Sequence, residues 1–193
     1  MIKTITVINF LFLASVAFSA DYYWVGGTGN WDNLNNWATT SGGSIKHGQV
    51  PGTGDNVYFD ENSGLNGSKI ITLNAVTANC RNMTWHNITG NNANYPRFEG
   101  TAGNTLNIYG SVELQAGMRW NLASSTVFRS DNAETITTNG VDMYAITFAN
   151  ALGSWTLLDN YITAGGINNS IGLSSGTFNT NDKTVYISHF VST

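Results

Sequence analysis

The chain has 193 residues with 8 Lys or Arg against 12 Asp or Glu, so charged residues make up 10% of it, where an ordinary soluble domain carries about 25%. A formal net charge of −4 excludes the basic surface with which nucleic-acid binders displace counterions. Hydrophobic residues at 41% and aromatics at 12% exclude a disordered polyelectrolyte and suffice for one domain with a real core.

Met1 to Ala20 combine Lys3, an apolar stretch from Ile5 to Ala17 and a small-residue end, the pattern of a secretory signal peptide. Ala17 and Ser19 suit a cut after Ser19, so residues 1–19 read as the signal and the mature chain as secreted or displayed on the cell surface. Thr6, Asn9 and Ser15 interrupt the apolar run, which falls short of the about 20 residues that span a bilayer. No transmembrane segment is therefore expected after cleavage. Cys80, the single cysteine, permits no intrachain disulfide and reads as a buried structural thiol.

Residues 20–62 form a Trp/Gly-rich segment, with Trp24, Trp31 and Trp37 among glycines and asparagines, a Val50-Pro51-Gly52 turn and the alternation Val57, Phe59. That glycine density excludes a helix. From residue 63 to 193, short period-two apolar pairs follow one another: Ile71/Leu73, Met83/Trp85, Leu106/Ile108, Val112/Leu114, Ile146/Phe148, Trp155/Leu157 and Val185/Ile187. Each reads as a strand. Turn clusters separate them, among them Thr89–Asn92, Thr138–Gly140, Gly165-Gly166 and Asn179–Asp182. The stretch from Asn104 to Leu114 is echoed from Ser154 onward and again from Asp182. Imperfect repetition at this scale, with Asn free to stack at equivalent turns, favours a parallel β-helix, or solenoid, over an antiparallel sandwich.

The run from Tyr23 to Asp32, followed by Asn36-Trp37, Val50-Pro51, Asp55-Asn56-Val57 and Phe59-Asp60, resembles the start of large secreted surface proteins of gliding Bacteroidetes. It is also similar to the openings of autotransporter-type adhesin passengers. The resemblance implies a right-handed parallel β-helix whose first coil is capped by Trp24, Gly26, Gly27, Gly29, Trp31, Trp37 and Pro51. Such proteins commonly continue for hundreds of residues. The expectation is therefore that this chain is part of a longer one, or that self-association or a partner covers its last sheet edge.

Chemistry-bearing patterns are sparse. Gly172-Leu173-Ser174-Ser175-Gly176 spells a G-x-S-x-G, but no helix pattern follows to aim the serine. His47, His86 and His189 lack metal-ligand spacing. Asp55 and Asp60 offer oxygens that could hold calcium or could equally cap turns around Val57–Phe59, and no other cofactor is expected. Arg81, Arg97, Arg119, Arg129, Glu99, Glu113 and Asp131 look scattered, with no pair identifiable as acid and base. Tyr95, Tyr109 and Tyr144 are candidate glycan contacts through stacking. The reading is a secreted or cell-surface structural and adhesive module binding extracellular polysaccharide, not an enzyme. The alternative is the N-terminal portion of a carbohydrate-active β-helix lyase or hydrolase.

Overall fold

A computed structural model describes residues 19–88, 94–163 and 169–193. The signal segment up to residue 18 and the turn clusters at 89–92 and 165–166 lie outside these residues. The first coil consists of β1 (Asp21–Trp24) and β2 (Gly29–Asn30), then a 3-10 turn at Leu34–Asn36 and β3 (Trp37–Ala38). Three regular coils follow: β4 (Asn56–Phe59), β5 (Ile70–Leu73) and β6 (Thr77–Cys80); β7 (Met83–Trp85), β8 (Arg97–Gly100) and β9 (Thr105–Ile108); β10 (Val112–Glu113), β11 (Arg119–Leu122) and β12 (Ser125–Phe128). The remainder is β13 (Ala133–Thr137), the long β14 (Ile146–Leu157), β15 (Tyr161–Ile162), the long β16 (Ser170–Asn179), β17 (Val185–Tyr186) and β18 (His189–Ser192).

Among the described residues the strands pair in parallel, except that β3 runs antiparallel to β1 and Ala38 makes an isolated antiparallel bridge to Lys46. The chain is a parallel β-solenoid with three faces. Val57, Met83, Val112, Ile136 and Leu157 stack rung on rung on the first face, so a coil takes between twenty and thirty residues. Ile71, Phe98 and Trp120 stack on the second. Cys80, Ile108, Phe128, Phe148 and Leu173 stack on the third. β14 and β16 bend from the third face into the first without a break, which joins both faces into one sheet.

The pleat explains why the sequence folds this way. Alternation turns Val57/Phe59, Ile71/Leu73, Met83/Trp85 and Leu106/Ile108 inward, all of them fully or almost fully buried, and each large apolar side chain so placed contributes about 1.5–3 kcal/mol. Aromatic rings dominate the centre: Phe59 stacks on Trp85 at 4.2 Å, Phe98 meets Trp120 edge-on at 5.0 Å, and Phe148 packs on Trp155 at 4.9 Å. β4 pairs with both β1 and β7, so the Trp-rich segment shares its sheet with the rest of the solenoid.

Asparagine stitches the turns. Asn82 Nδ2 donates to Asn56 Oδ1 (2.9 Å), and Asn56 Nδ2 donates to Asp21 Oδ1 (2.8 Å), one coil above the other. Asn139 and Asn181 adopt positive φ of 48° and 51° and send their amides to Leu114 O and Leu157 O of the preceding coils.

Candidate functional site

The Trp/Gly opening is a packed end of the solenoid. Trp24, Trp31 and Trp37 are fully buried. Trp24 Nε1 donates to Gly27 O at 2.8 Å, and Trp37 Nε1 donates to Trp31 O at 2.7 Å. Gly27 sits at φ +72°, and a Cβ there would lie 2.9 Å from Gly64 O, so the turn beneath Trp24 admits only glycine. Asn36 Nδ2 donates to Val25 O (2.8 Å) and occupies the space that a side chain on Gly26 or Gly29 would need. Pro51 is buried beside the turn that Gly52 and Asp55 close. β3 covers the outer edge of β1, pairing Trp37 with Trp24.

Asp55 and Asp60 act as caps. Asp55 Oδ1 accepts from Ala20 N (3.0 Å) and Oδ2 from Gly52 N (2.8 Å). Asp60 Oδ1 accepts from Asn62 N (2.9 Å) and from Ser63 Oγ (3.3 Å). Among the described residues, no three His, Cys, Asp or Glu side chains converge as a metal-holding group.

The three candidate tyrosines are not brought together. Tyr95 precedes β8, half-buried, with the Arg119 guanidinium 5.6 Å from its ring centroid. Tyr144 precedes β14 and lines a groove of about 670 Å³ with Asn121, Ser124, Ser125 and Ser170. Tyr109 follows β9 and lines a different groove, of about 420 Å³. Tyr22 and Tyr161 are core residues, 1% exposed each.

The charged residues that look scattered in sequence sort into distinct places. Arg97 pairs with Glu99 at 2.7 Å, and Glu113 lies in a second groove of about 420 Å³ on the outer surface of the first face. Arg81, Arg129 and Asp131 meet in the Tyr109 groove with Thr53, Ser130, Asn132 and Asn150, and Arg81 also borders the Glu113 groove, which Glu134 lines too. This corner between the third and first faces is a candidate site that the sequence reading did not bring together. Its signal was the residue immediately after each buried strand end: Arg81 follows Cys80, Tyr109 follows Ile108 and Arg129 follows Phe128.

Among the described residues, neither the G-x-S-x-G serine nor the histidines form a constellation. Ser174 is exposed on β16, which runs through the motif as continuous strand. His47 stacks on Tyr22 at 3.7 Å and pairs its Nε2 with Asp21 O. Cys80 is buried, and burial pushes its thiol well above the usual range. Burial, followed by the Asp142 charge, likewise raises the Tyr161 phenol.

Both groups keep their protons in the folded state while the unfolded chain gives them up above the ordinary values of 9.0 and 10.0. Their stabilisation is complete below those values and is lost as pH rises, at about 1.4 kcal/mol per pH unit for each group. Urea midpoints measured on stepping the pH upward past about 9 are expected to fall. Cys80→Ala should flatten the first part of that fall, and an unchanged slope would contradict the assignment.

Comparison of the chain with models of protein families, with curated proteins and with solved structures finds no match.

Proposed function

We infer that the chain is a secreted or cell-surface structural and adhesive module that holds glycans along its length and carries out no reaction on them. The observation that carries this reading is the form of the larger surface sites: open grooves between rungs, lined by Asn, Ser, Thr and Tyr. Polar groups repeated from coil to coil suit an extended ligand bound by many weak contacts. The signal-like leader and the resemblance of the Trp/Gly opening to secreted surface proteins support the same reading. A panel of extracellular and cell-wall polysaccharides tests it: binding without turnover is expected, and absence of binding to every glycan overturns it. A second reading, a carbohydrate-active lyase or hydrolase, is favoured by one specific observation, the meeting of Arg81, Arg129 and Asp131 in one groove. Release of unsaturated or reducing ends by the chain would replace the first reading with the second.

A further inference from the structure

We propose that the corner between the third and first faces is a binding site for an acidic polysaccharide, read lengthwise by the ladder Arg81, Tyr109, Arg129. The proposal rests on the glycan-binding reading above and names its site and ligand class. Cys80, Ile108 and Phe128 stack in register on β6, β9 and β12, fully buried. The ladder continues one residue further, with Tyr109 N donating to Cys80 O at 2.9 Å and Arg129 N to Ile108 O at 2.8 Å. By the pleat, the next residue on each rung faces outward. The result is a vertical row of guanidinium, phenol ring and guanidinium.

Rungs are spaced by about 4.8 Å, so the two arginines stand about 10 Å apart along the axis. That is comparable with the disaccharide repeat of an extended glycan. A chain carrying an anionic group on alternate sugars can therefore meet both guanidiniums while the sugar between them lies on Tyr109. Of the four arginines, Arg97 pairs with Glu99 and Arg119 lies over Tyr95. Arg81 and Arg129 are exposed. Arg129 is also pre-set: its Nε donates to Asn107 Oδ1 at 2.7 Å, and Asn107 Nδ2 donates to Asn79 Oδ1 at 3.1 Å. No partner occupies its terminal amino groups among the described residues. Asp131 is the one carboxylate lining the groove, accepting from Asn132 Nδ2 at 2.6 Å; it is placed to accept from a sugar hydroxyl. In this groove the two guanidiniums face Asp131, while Arg81 also borders the adjoining groove that holds Glu113 and Glu134, so the cationic character belongs to the two arginine heads and not to the corner as a whole.

The anionic group could be a uronate carboxylate or a sulfate ester, and the test separates them. Binding of the full chain to polygalacturonate, chondroitin sulfate and neutral dextran is measured by affinity electrophoresis and calorimetry, with far-UV spectra confirming that each variant is folded. The chain is expected to prefer one or both acidic glycans, with binding weakened by salt. R81Q/R129Q should lower the acidic-glycan affinity about tenfold or more, Tyr109→Ala should lower it severalfold, and Arg119→Gln should leave it unchanged. Equal binding by R81Q/R129Q overturns the proposal, as does a preference for single-stranded DNA over acidic glycans. Binding of dextran alone, indifferent to both arginines, sinks this proposal and leaves the adhesive reading standing, whereas no glycan binding at all sinks both. Turnover of an acidic glycan that R81Q/R129Q abolishes supports the site and its ligand class while overturning the non-catalytic reading.

Discussion

Replacing Trp37 with alanine is expected to cost about 3–5 kcal/mol and to open the N-terminal end of the solenoid before the rest. The Trp37 ring is fully buried and makes four ring contacts: Trp31 at 4.9 Å, Trp24 at 5.0 Å, Tyr22 at 6.0 Å and Phe59 at 6.1 Å. All four are edge-on, with interplanar angles between 62° and 86°, the arrangement aromatic quadrupoles favour. Truncation removes that area, leaves a cavity too well framed to collapse and takes the donor away from Trp31 O.

Trp37→Phe separates these terms. It retains most of the ring area and loses the indole donor, so its cost should be about 1–2 kcal/mol. Because each coil contacts mainly its neighbours, the damage should be graded along the axis. Hydrogen exchange in Trp37→Ala is expected to accelerate in β1, β2 and β4 while β12 and β14 remain protected. Uniform acceleration would mean that the whole chain unfolds as one unit, and a loss below about 1 kcal/mol would mean that β3 does not hold the end closed.

The strand content was legible in the sequence because a solenoid rung buries one side chain in two. Val57/Phe59, Ile71/Leu73, Met83/Trp85 and Leu106/Ile108 each face inward on a strand. The stitching role of asparagine was legible too, since an amide that reaches the coil above tolerates a positive φ where other side chains do not. The repeat phase was not. The echo of Asn104–Leu114 from Ser154 onward compares unlike parts of the coil. Leu106 and Ile108 lie on the third face, whereas Trp155 and Leu157 lie on the first. All three faces carry the same alternation, so period alone does not say which face a strand occupies. β14 and β16 add a further ambiguity, each serving two faces as one strand.

The candidate site was hidden for the same reason. Arg81, Tyr109 and Arg129 are each one coil apart in sequence, and only the register of β6, β9 and β12 makes them neighbours. Asp55 and Asp60 were ambiguous for a different reason: a carboxylate at a turn can accept from backbone N–H groups or coordinate calcium, and the local sequence does not say which. The structure places their oxygens on Gly52 N, Ala20 N, Asn62 N and Ser63 Oγ.

The G-x-S-x-G segment supplies the second large effect, and it falls on the glycine. Gly176 stands where β16 turns the corner, at φ +91°, directly above the same corner of β14. A Cβ there would run into Asn150 O and would lie 2.7 Å from Gly153 O and 2.9 Å from the Trp155 ring. Backbone carbonyls and a buried indole have little room to retreat, and an alanine at positive φ pays about 1–2 kcal/mol on its own account. Gly176→Ala should therefore destabilise by about 3 kcal/mol or more, read as a lowered urea midpoint and loss of protection in β16 and β18. Gly172 lies at the start of the same motif, where a Cβ would come only to 3.2 Å from the flexible Thr147 Oγ1, so Gly172→Ala should cost clearly less. Ser174 is exposed, and Ser174→Ala should stay within about 0.5 kcal/mol of the parent. The expected order of cost, Gly176 above Gly172 above Ser174, assigns the motif to the backbone of the turn. A Ser174→Ala variant less stable than Gly176→Ala would reverse that assignment.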